Sequence, residues 1–184
     1  MKSRATLIAA SVLAASPAVA QTPPASPVPP PACASHGHRA FDFWLGRWDV
    51  YRTDTDALVA HSVIERMYDG CAIRESWMPH GRAGGGSLSA FDPAAQRWRQ
   101  TWVDSNNGYA TFEGGIADGA MVLTGRWLGY NGPGTEMLAR MTYTPRDAGA
   151  VSQRVEVSAD GGRSWNLAAD FLYRPAGRHG PSGP

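Results

Sequence analysis

Six polar or charged residues fall inside segments whose alternating pattern is typical of β-strands. They are Glu75, Gln100, Asp104, Arg140, Gln153 and Glu156. Side chains alternate between the two faces of a strand, so Gln100 shares a face with Trp102 and Asp104. Buried polar groups are costly unless they are paired, and a protein that keeps them inside can use them to orient a polar ligand head group. These six residues and Trp102 are therefore ligand-binding candidates; the alternative, that several of them face solvent, stays open.

Two of these candidates, Glu75 and Glu156, are carboxylic acids that a hydrolase or isomerase could use for acid–base catalysis. Such catalysis depends on their separation, which the sequence does not give, so an enzyme remains an alternative. His61 is the candidate ligand if a haem is bound, although a lone histidine in a strand is more often a surface or core residue. We expect no cofactor, and no metal site with the usual ligand spacing is visible in the sequence.

The start of the 184-residue chain predicts a secretory signal peptide over residues 1–20. Lys2 and Arg4 precede a short apolar run, and a small-x-small sequence ends at Ala20. The run is shorter than the roughly 20 apolar residues that span a bilayer, so stable membrane insertion is not expected. The protein is therefore predicted to be periplasmic or secreted.

Composition divides the rest of the chain into three parts. Residues 21–38 are rich in Pro and Ala and predict an extended linker, and residues 175–184 are rich in Gly and Pro and predict a disordered tail. Residues 39–174 remain as one domain of common size. Basic and acidic residues nearly balance, and no basic stripe appears, so a nucleic-acid partner is not expected.

Two cysteines, Cys33 and Cys71, are present. An exported protein meets an oxidising environment, where a disulfide between them would pin the end of the linker to the domain. An even cysteine count permits this pairing but does not require it. The alternative is a buried thiol at Cys71 and an unpaired Cys33.

The domain alternates between apolar and polar residues with a period of two, which predicts an all-β fold. Asp69-Gly70 and Asp118-Gly119 are typical of tight hairpins between strands. Short links favour an antiparallel meander, and closure into a barrel of eight to ten strands would remove its edges. A β-sandwich fits the same pattern. The predicted strands are 43–52, 59–68, 71–78, 85–91, 97–104, 108–115, 119–128, 136–144, 150–158 and 164–174.

The first predicted strand contains a Gly-x-Trp sequence, and the last one ends in an arginine. Gly46 and Trp48 form a Gly-x-Trp in the first strand, and Arg174 lies at the end of the last. If the sheet closes, these strands become neighbours, and Arg174 could stack on Trp48. The combination resembles the lipocalins and their calycin relatives, such as the fatty-acid-binding proteins. The resemblance implies an architecture and not a chemistry.

A second resemblance covers most of residues 41–174. Its segments are FDFWLGRWDV at 41–50, DGC at 69–71, ESW at 75–77, WRQTWVD at 98–104 and RMTYTP at 140–145. Together they are similar to a family of exported bacterial proteins of unknown function that is related to the lipocalin-like barrels. This resemblance implies a signal peptide and a barrel, and it transfers no catalytic residues.

Residues 158–165, SADGGRSW, resemble the Asp-box hairpin of sialidases and several unrelated folds. In that motif the aspartate, here Asp160, accepts hydrogen bonds from the turn, and the tryptophan, here Trp165, packs underneath. A single copy in one domain predicts a structural role.

The aromatic content guides the functional expectation. Seven Trp, six Tyr and five Phe are enough to fill the floor of a barrel and to line a pocket above it. We therefore expect a binding protein for a small hydrophobic or amphipathic molecule. The alternatives are an enzyme that uses a carboxylate in the lumen, and a structural or interaction module with a filled barrel.

Overall fold

The computed structural model describes residues 32–177, which form a closed antiparallel β-barrel of ten strands. The predicted signal peptide, and most of the predicted linker and tail, lie outside the described residues. Within the described range, no helix has the length and apolar character needed to cross a membrane. The strands are β1 (Gly46–Arg52), β2 (Leu58–Met67), β3 (Ala72–Pro79), β4 (Gly85–Asp92), β5 (Arg97–Asp104), β6 (Tyr109–Ala117), β7 (Ala120–Leu128), β8 (Glu136–Pro145), β9 (Val151–Ser158) and β10 (Asn166–Pro175).

The all-β prediction and the antiparallel meander are confirmed. Each strand pairs with the strands before and after it, and β1 pairs with β10 to close the wall, with Asp49 opposite Arg174. The hairpin between β6 and β7 turns through Asp118 and Gly119, whose φ angles are 49° and 77°. These left-handed conformations match the right-handed twist of the flanking strands, which is why Asp-Gly was a useful signal.

The largest boundary difference lies at the start of the sheet. Trp44 was predicted to lie in the first strand, but it ends a short 3-10 turn, Asp42–Trp44, and β1 begins two residues later. Gly46 has a φ of 148°, and a Cβ at this position would lie 3.3 Å from the indole of Trp48. The glycine therefore lets the chain enter the sheet against the face of a tryptophan.

One end of the barrel is filled by aromatic side chains. Phe41 and Trp44 are fully buried and stack with ring centroids 4.9 Å apart. Phe41 also meets Trp98 and Tyr143 edge-on, at 5.6 and 5.1 Å. The Nε1 of Trp48 donates a hydrogen bond to the carbonyl of Trp44 at 3.0 Å. The segment before β1 thus closes this end from inside.

The segment before the barrel is more structured than the linker prediction allowed. A four-residue helix, α1 (His36–Arg39), lies against this end of the barrel, and His38 is buried within it. The carbonyl of Gly37 accepts a hydrogen bond from Trp98 Nε1 at 3.1 Å. Cys33 and Cys71 are joined in a disulfide, which ties this segment to the turn between β2 and β3. Residues 33–38 therefore belong to the folded domain.

The barrel closes as predicted, but Arg174 does not stack on Trp48. Trp48 points into the barrel, whereas Arg174 alternates with the buried Tyr173 and points outward. Its guanidinium lies 4.3 Å from the ring centroid of Tyr51 and donates a hydrogen bond to Asp56 at 2.6 Å. Since the two side chains are on opposite faces of the wall, closure does not bring them together.

The Asp-box segment forms the turn between β9 and β10. The carboxylate of Asp160 accepts hydrogen bonds from the amides of Arg163 and Ser164 at 3.0 and 2.9 Å. It also accepts one from the Ser164 hydroxyl, and these bonds lower the pKa of Asp160 to about 2. Trp165 Nε1 donates to the carbonyl of Gly162 at 3.1 Å. The contacts are those of a structural turn.

Candidate functional site

The end of the barrel opposite the buried plug contains a cavity of about 270 Å³. Five large aromatic side chains, all of them partly exposed, line it: Trp77, Trp102, Trp127, Tyr130 and Phe171. Four of the five lie on strands at positions that face inward, and Tyr130 comes from the loop after β7. The cavity therefore has a largely apolar, aromatic wall.

The aromatic side chains support one another around the cavity. Trp77 on β3 lies 5.6 Å from Phe171 on β10 and 6.3 Å from Tyr173, measured between ring centroids. Trp127 meets Tyr130 edge-on at 5.4 Å. Contacts between aromatic rings at these distances are favourable and limit ring motion. These contacts therefore hold the aromatic wall in place.

The floor of the cavity holds a buried carboxyl group, Glu75. Its two oxygens accept hydrogen bonds from Ser62 Oγ at 3.1 Å and from Ser87 Oγ at 3.2 Å. The cross-strand register brings these groups together, because Ser87 on β4 lies directly opposite Glu75 on β3. Burial raises the pKa of Glu75 to about 7, and the hydroxyl groups around it only partly offset that effect.

A second set of polar groups continues the floor beside Glu75. The amide nitrogen of Gln100 donates to Ser89 Oγ at 3.0 Å and to Ser87 Oγ at 3.4 Å. Ser87 thus links the carboxyl group of Glu75 to the amide of Gln100. Because the buried polar groups bond to one another, the floor holds its shape without an outside partner.

Two tyrosines and a glutamine complete the floor. The Tyr173 hydroxyl donates to Gln153 Oε1 at 2.7 Å, and Gln153 Nε2 donates to the Tyr143 hydroxyl at 3.0 Å. Burial raises the pKa of both phenols, and the nearby Glu75 raises it further. Both tyrosines therefore stay protonated at neutral pH and can act as hydrogen-bond donors.

The mouth of the cavity is more polar. Asp104 accepts hydrogen bonds from Trp102 Nε1 at 3.0 Å and from the amides of Asn106 and Gly108 at 2.8 and 3.0 Å. Partial burial raises the pKa of Asp104, but these bonds and the charge of Arg82 outweigh it, and the pKa lies below its ordinary value. Asp104 therefore orients the Trp102 indole while it remains ionised.

The structure brings five of the seven sequence-predicted ligand-binding candidates to the cavity: Glu75, Gln100, Trp102, Asp104 and Gln153. Arg140 and Glu156 are not among them. They alternate with inward-facing neighbours on β8 and β9, so they lie on the outer face and pair there at 2.8 Å. Arg140 also lies 4.3 Å from the ring centroid of Trp165. Arg140 therefore meets its carboxylate partner on the outer face of the wall and not in the lumen.

The observed faces of the wall do not fit two hypotheses from the sequence, the catalytic carboxylate pair and the haem ligand. Glu75 and Glu156 are on opposite faces of the wall, so they cannot act as a catalytic carboxylate pair. His61 is half-exposed on the outer face of β2, where its Nδ1 lies 2.8 Å from Asp49. The neighbours Ala60 and Ser62 point inward instead. His61 is therefore not placed to bind a haem within the barrel.

Sequence reasoning missed part of the wall and floor. Trp77 and Phe171 line the cavity, and Ser62 and Ser87 hold the carboxyl of Glu75. Trp77 could have been found, because it lies two residues after Glu75 and shares its face. The serines gave no comparable signal, since their role depends on cross-strand register.

The fold and the cavity define a class: small antiparallel β-barrels that are filled at one end and hold an aromatic-walled cavity at the other. No protein-family profile and no curated protein matches the chain.

Proposed function

We propose that this protein is an exported barrel that binds a small hydrophobic or amphipathic molecule in its lumen. The observation that carries the proposal is the cavity of about 270 Å³, whose aromatic wall stands over a hydrogen-bonded floor containing Glu75. Binding cavities generally combine a mostly apolar wall with a few placed polar groups. A structural module with a filled barrel would have no reason to keep such a space.

The size of the cavity limits the ligand. Pockets for small molecules usually measure about 300–1,000 Å³, and this one, at about 270 Å³, lies just below that range. A compact molecule with one or two rings fits that volume better than a long acyl chain. Its polar group would lie at the floor, where Glu75, Gln100, Gln153 and two tyrosines offer hydrogen bonds.

Location outside the cytoplasm is part of the proposal. It is supported by the signal-like sequence of residues 1–20, by the resemblance to an exported bacterial family, and by the disulfide between Cys33 and Cys71. Disulfides persist mainly in oxidising compartments.

A screen of small molecules tests the binding function. Purified protein is incubated with a library of compounds of about 8–15 non-hydrogen atoms, and complexes are detected by native mass spectrometry and thermal shift. Ala169→Trp fills the cavity from β10, and Val103→Trp on the outer face is the matched control. We expect ligands that bind the parent and Val103→Trp but bind Ala169→Trp at least about tenfold more weakly.

Two outcomes would overturn the proposal. One is the absence of any lumen ligand across the library. The other is a set of ligands whose affinities are the same for Ala169→Trp and for the parent, which would place binding outside the cavity.

A second candidate function is favoured by one observation, the raised pKa of Glu75 at the cavity floor. A carboxyl group that titrates near neutrality suits a general base in a hydrolase or isomerase. Molecules that bind in the screen are incubated with the protein in D₂O, and hydrolysis or deuterium exchange is followed by NMR. Glu75→Gln should abolish any turnover, and Glu156→Gln, on the outer face, should preserve it. Equal turnover in both variants would exclude the catalytic role.

A further inference from the structure

The charges that line the cavity are unevenly placed. Among the described lining residues, the ionisable side chains other than tyrosine are Glu75, Asp104 and Arg82. Arg82 belongs to the exposed loop between β3 and β4, and its charge acts on Asp104 at the mouth. The floor therefore offers a ligand one acidic group and several neutral ones.

Glu75 has hydrogen-bond donors but no ion-pair partner among the described residues. Ser62 on β2 and Ser87 on β4 donate to its two oxygens, and the Tyr173 hydroxyl on β10, which donates to Gln153, lies beside them. These neutral donors satisfy the carboxylate geometrically, but they do not neutralise its charge. A buried carboxylate without a cation is costly, so the floor is electrostatically incomplete when Glu75 is ionised.

The wall above this carboxyl suits a cation. Trp77 follows Glu75 on the same face of β3, and Trp102 on β5 lies opposite Ser87, which itself lies opposite Glu75. Phe171 lies next to Trp77. The faces of aromatic rings attract positive charge, most strongly for tryptophan and most strongly where water is excluded. Carboxyl and aromatic groups thus favour the same kind of ligand group.

We propose that the ligand is a small organic cation, a protonated amine on a compact apolar body, with its ammonium group at Glu75 and its body against Trp77, Trp102 and Phe171. This inference rests on the proposed binding function and specifies its ligand class. The ammonium supplies the ion-pair partner that the floor lacks. An anionic head group, such as a carboxylate, would instead place a like charge beside Glu75.

Protons accompany this binding. The ammonium keeps its proton, and the carboxyl group of Glu75 releases its own to solvent when the ion pair forms. Tyr143 and Tyr173, which line the cavity beside Glu75 from β8 and β10, stay protonated, and Asp104 at the mouth stays ionised. Proton release near neutral pH therefore reports on Glu75 alone.

Three probes of similar size separate the ligand classes: 2-phenylethylamine, 2-phenylethanol and 3-phenylpropanoate. Each is titrated into the protein at pH 6.5 by isothermal calorimetry in buffers of different ionisation enthalpy. We expect the amine to bind at least about tenfold more tightly than the alcohol, the carboxylate to bind most weakly, and only the amine to release protons.

Two variants test whether Glu75 is responsible for amine binding and for proton release. Glu75→Gln keeps the side-chain shape and should weaken amine binding at least about 30-fold, abolish proton release, and leave 2-phenylethanol binding within about threefold. Glu65→Gln, an exposed carboxylate on the outer face of β2, is the matched control and should change none of these values.

The outcomes distinguish the ligand class from the binding function. Equal or tighter binding of the alcohol or the carboxylate would overturn the cation inference while the binding cavity stands. Failure of all three probes to bind at millimolar concentration would also overturn the inference, and the library screen would decide the binding function separately. Amine binding that Glu75→Gln leaves unchanged would place the cation elsewhere and overturn it as well.

Discussion

The two ends of this barrel use the same kinds of residue in different ways. At the filled end, Phe41 and Trp44 are fully buried and stack against each other and against Tyr143. At the open end, Trp77 and Phe171 meet at 5.6 Å but remain partly exposed around a cavity. Aromatic surface therefore serves packing at one end and surrounds a cavity at the other.

The polar floor separates these two ends. Glu75, Gln100 and Gln153 are buried between the aromatic plug and the cavity. A core built only for stability gains nothing from a buried carboxyl, because burial disfavours its charged form. The contrast indicates that the filled end contributes most to stability, while the buried carboxyl group at the floor of the open end has an energetic cost.

The largest expected effect comes from the filled end. Phe41→Ala removes a fully buried ring that contacts Trp44, Trp98 and Tyr143, so the free energy of unfolding should fall by about 3–5 kcal/mol. Phe171→Ala at the open end should cost only about 1 kcal/mol, because that ring already borders a cavity. Urea denaturation of both variants checks the difference, and equal losses would refute the division between the two ends.

The disulfide should have the next largest effect. Replacing Cys33 and Cys71 together by serine opens a link across 38 residues of sequence and frees the segment that carries the plug. The loss in the free energy of unfolding should be about 3 kcal/mol, mainly because the unfolded chain gains freedom. Denaturation curves of the double variant, the oxidised parent and the reduced parent measure this loss in stability. A double variant as stable as the oxidised parent would show that the tether is dispensable.

Glu75 should make the stability of the open end depend on pH. Its pKa is about 7 in the folded protein against an ordinary value of 4.5, so the folded state holds a proton that the unfolded state has lost. That contribution to stability is complete below pH 4.5 and is lost as the pH rises to about 7. At about 1.4 kcal/mol per pKa unit, the loss is about 3 kcal/mol.

Glu75→Gln isolates this effect, because it removes the titrating group and keeps the side-chain volume. The difference in unfolding free energy between parent and variant should change across pH 4.5–7. The variant should become more stable relative to the parent as the pH rises, because only the parent loses the contribution of Glu75. Glu65→Gln is the exposed control. A difference that stays constant across this range would contradict the raised pKa of Glu75.

The smallest effect should come from the outer wall. Arg174→Met removes an exposed ion pair with Asp56 and a contact with Tyr51, neither of which reaches the interior. Such exposed pairs contribute little to stability, so thermal unfolding should shift less than for any change above, and ligand binding should not change. A shift as large as that of Phe41→Ala would mean that Arg174 holds the barrel closed.

The sequence predicted the strands well because each strand is a local pattern. All ten were placed to within three residues at either end, and β5 was placed with its observed bounds. The face of each strand was harder to assign. On β8 the buried residues Ala139, Met141 and Tyr143 form the inward face, so Arg140 lies on the outer face. The alternation of apolar residues therefore assigns the face of this strand better than its polar residues do.

The cavity itself could not be predicted from local patterns. Whether an aromatic side chain fills the barrel or borders a space depends on cross-strand register and on the plug that precedes β1. The pairing of Ser87 with Glu75 is such a register effect. The composition indicated an excess of aromatic side chains, but it could not locate them at one end.

The most direct test of a buried carboxyl group at the cavity floor is the titration of Glu75 by ¹³C NMR of its side-chain carboxyl group. We expect a pKa of about 7 in the free protein, and a marked fall in that pKa when 2-phenylethylamine is added. A pKa near 4.5 that no cavity-sized molecule changes would contradict a buried recognition group at the floor of an accessible cavity.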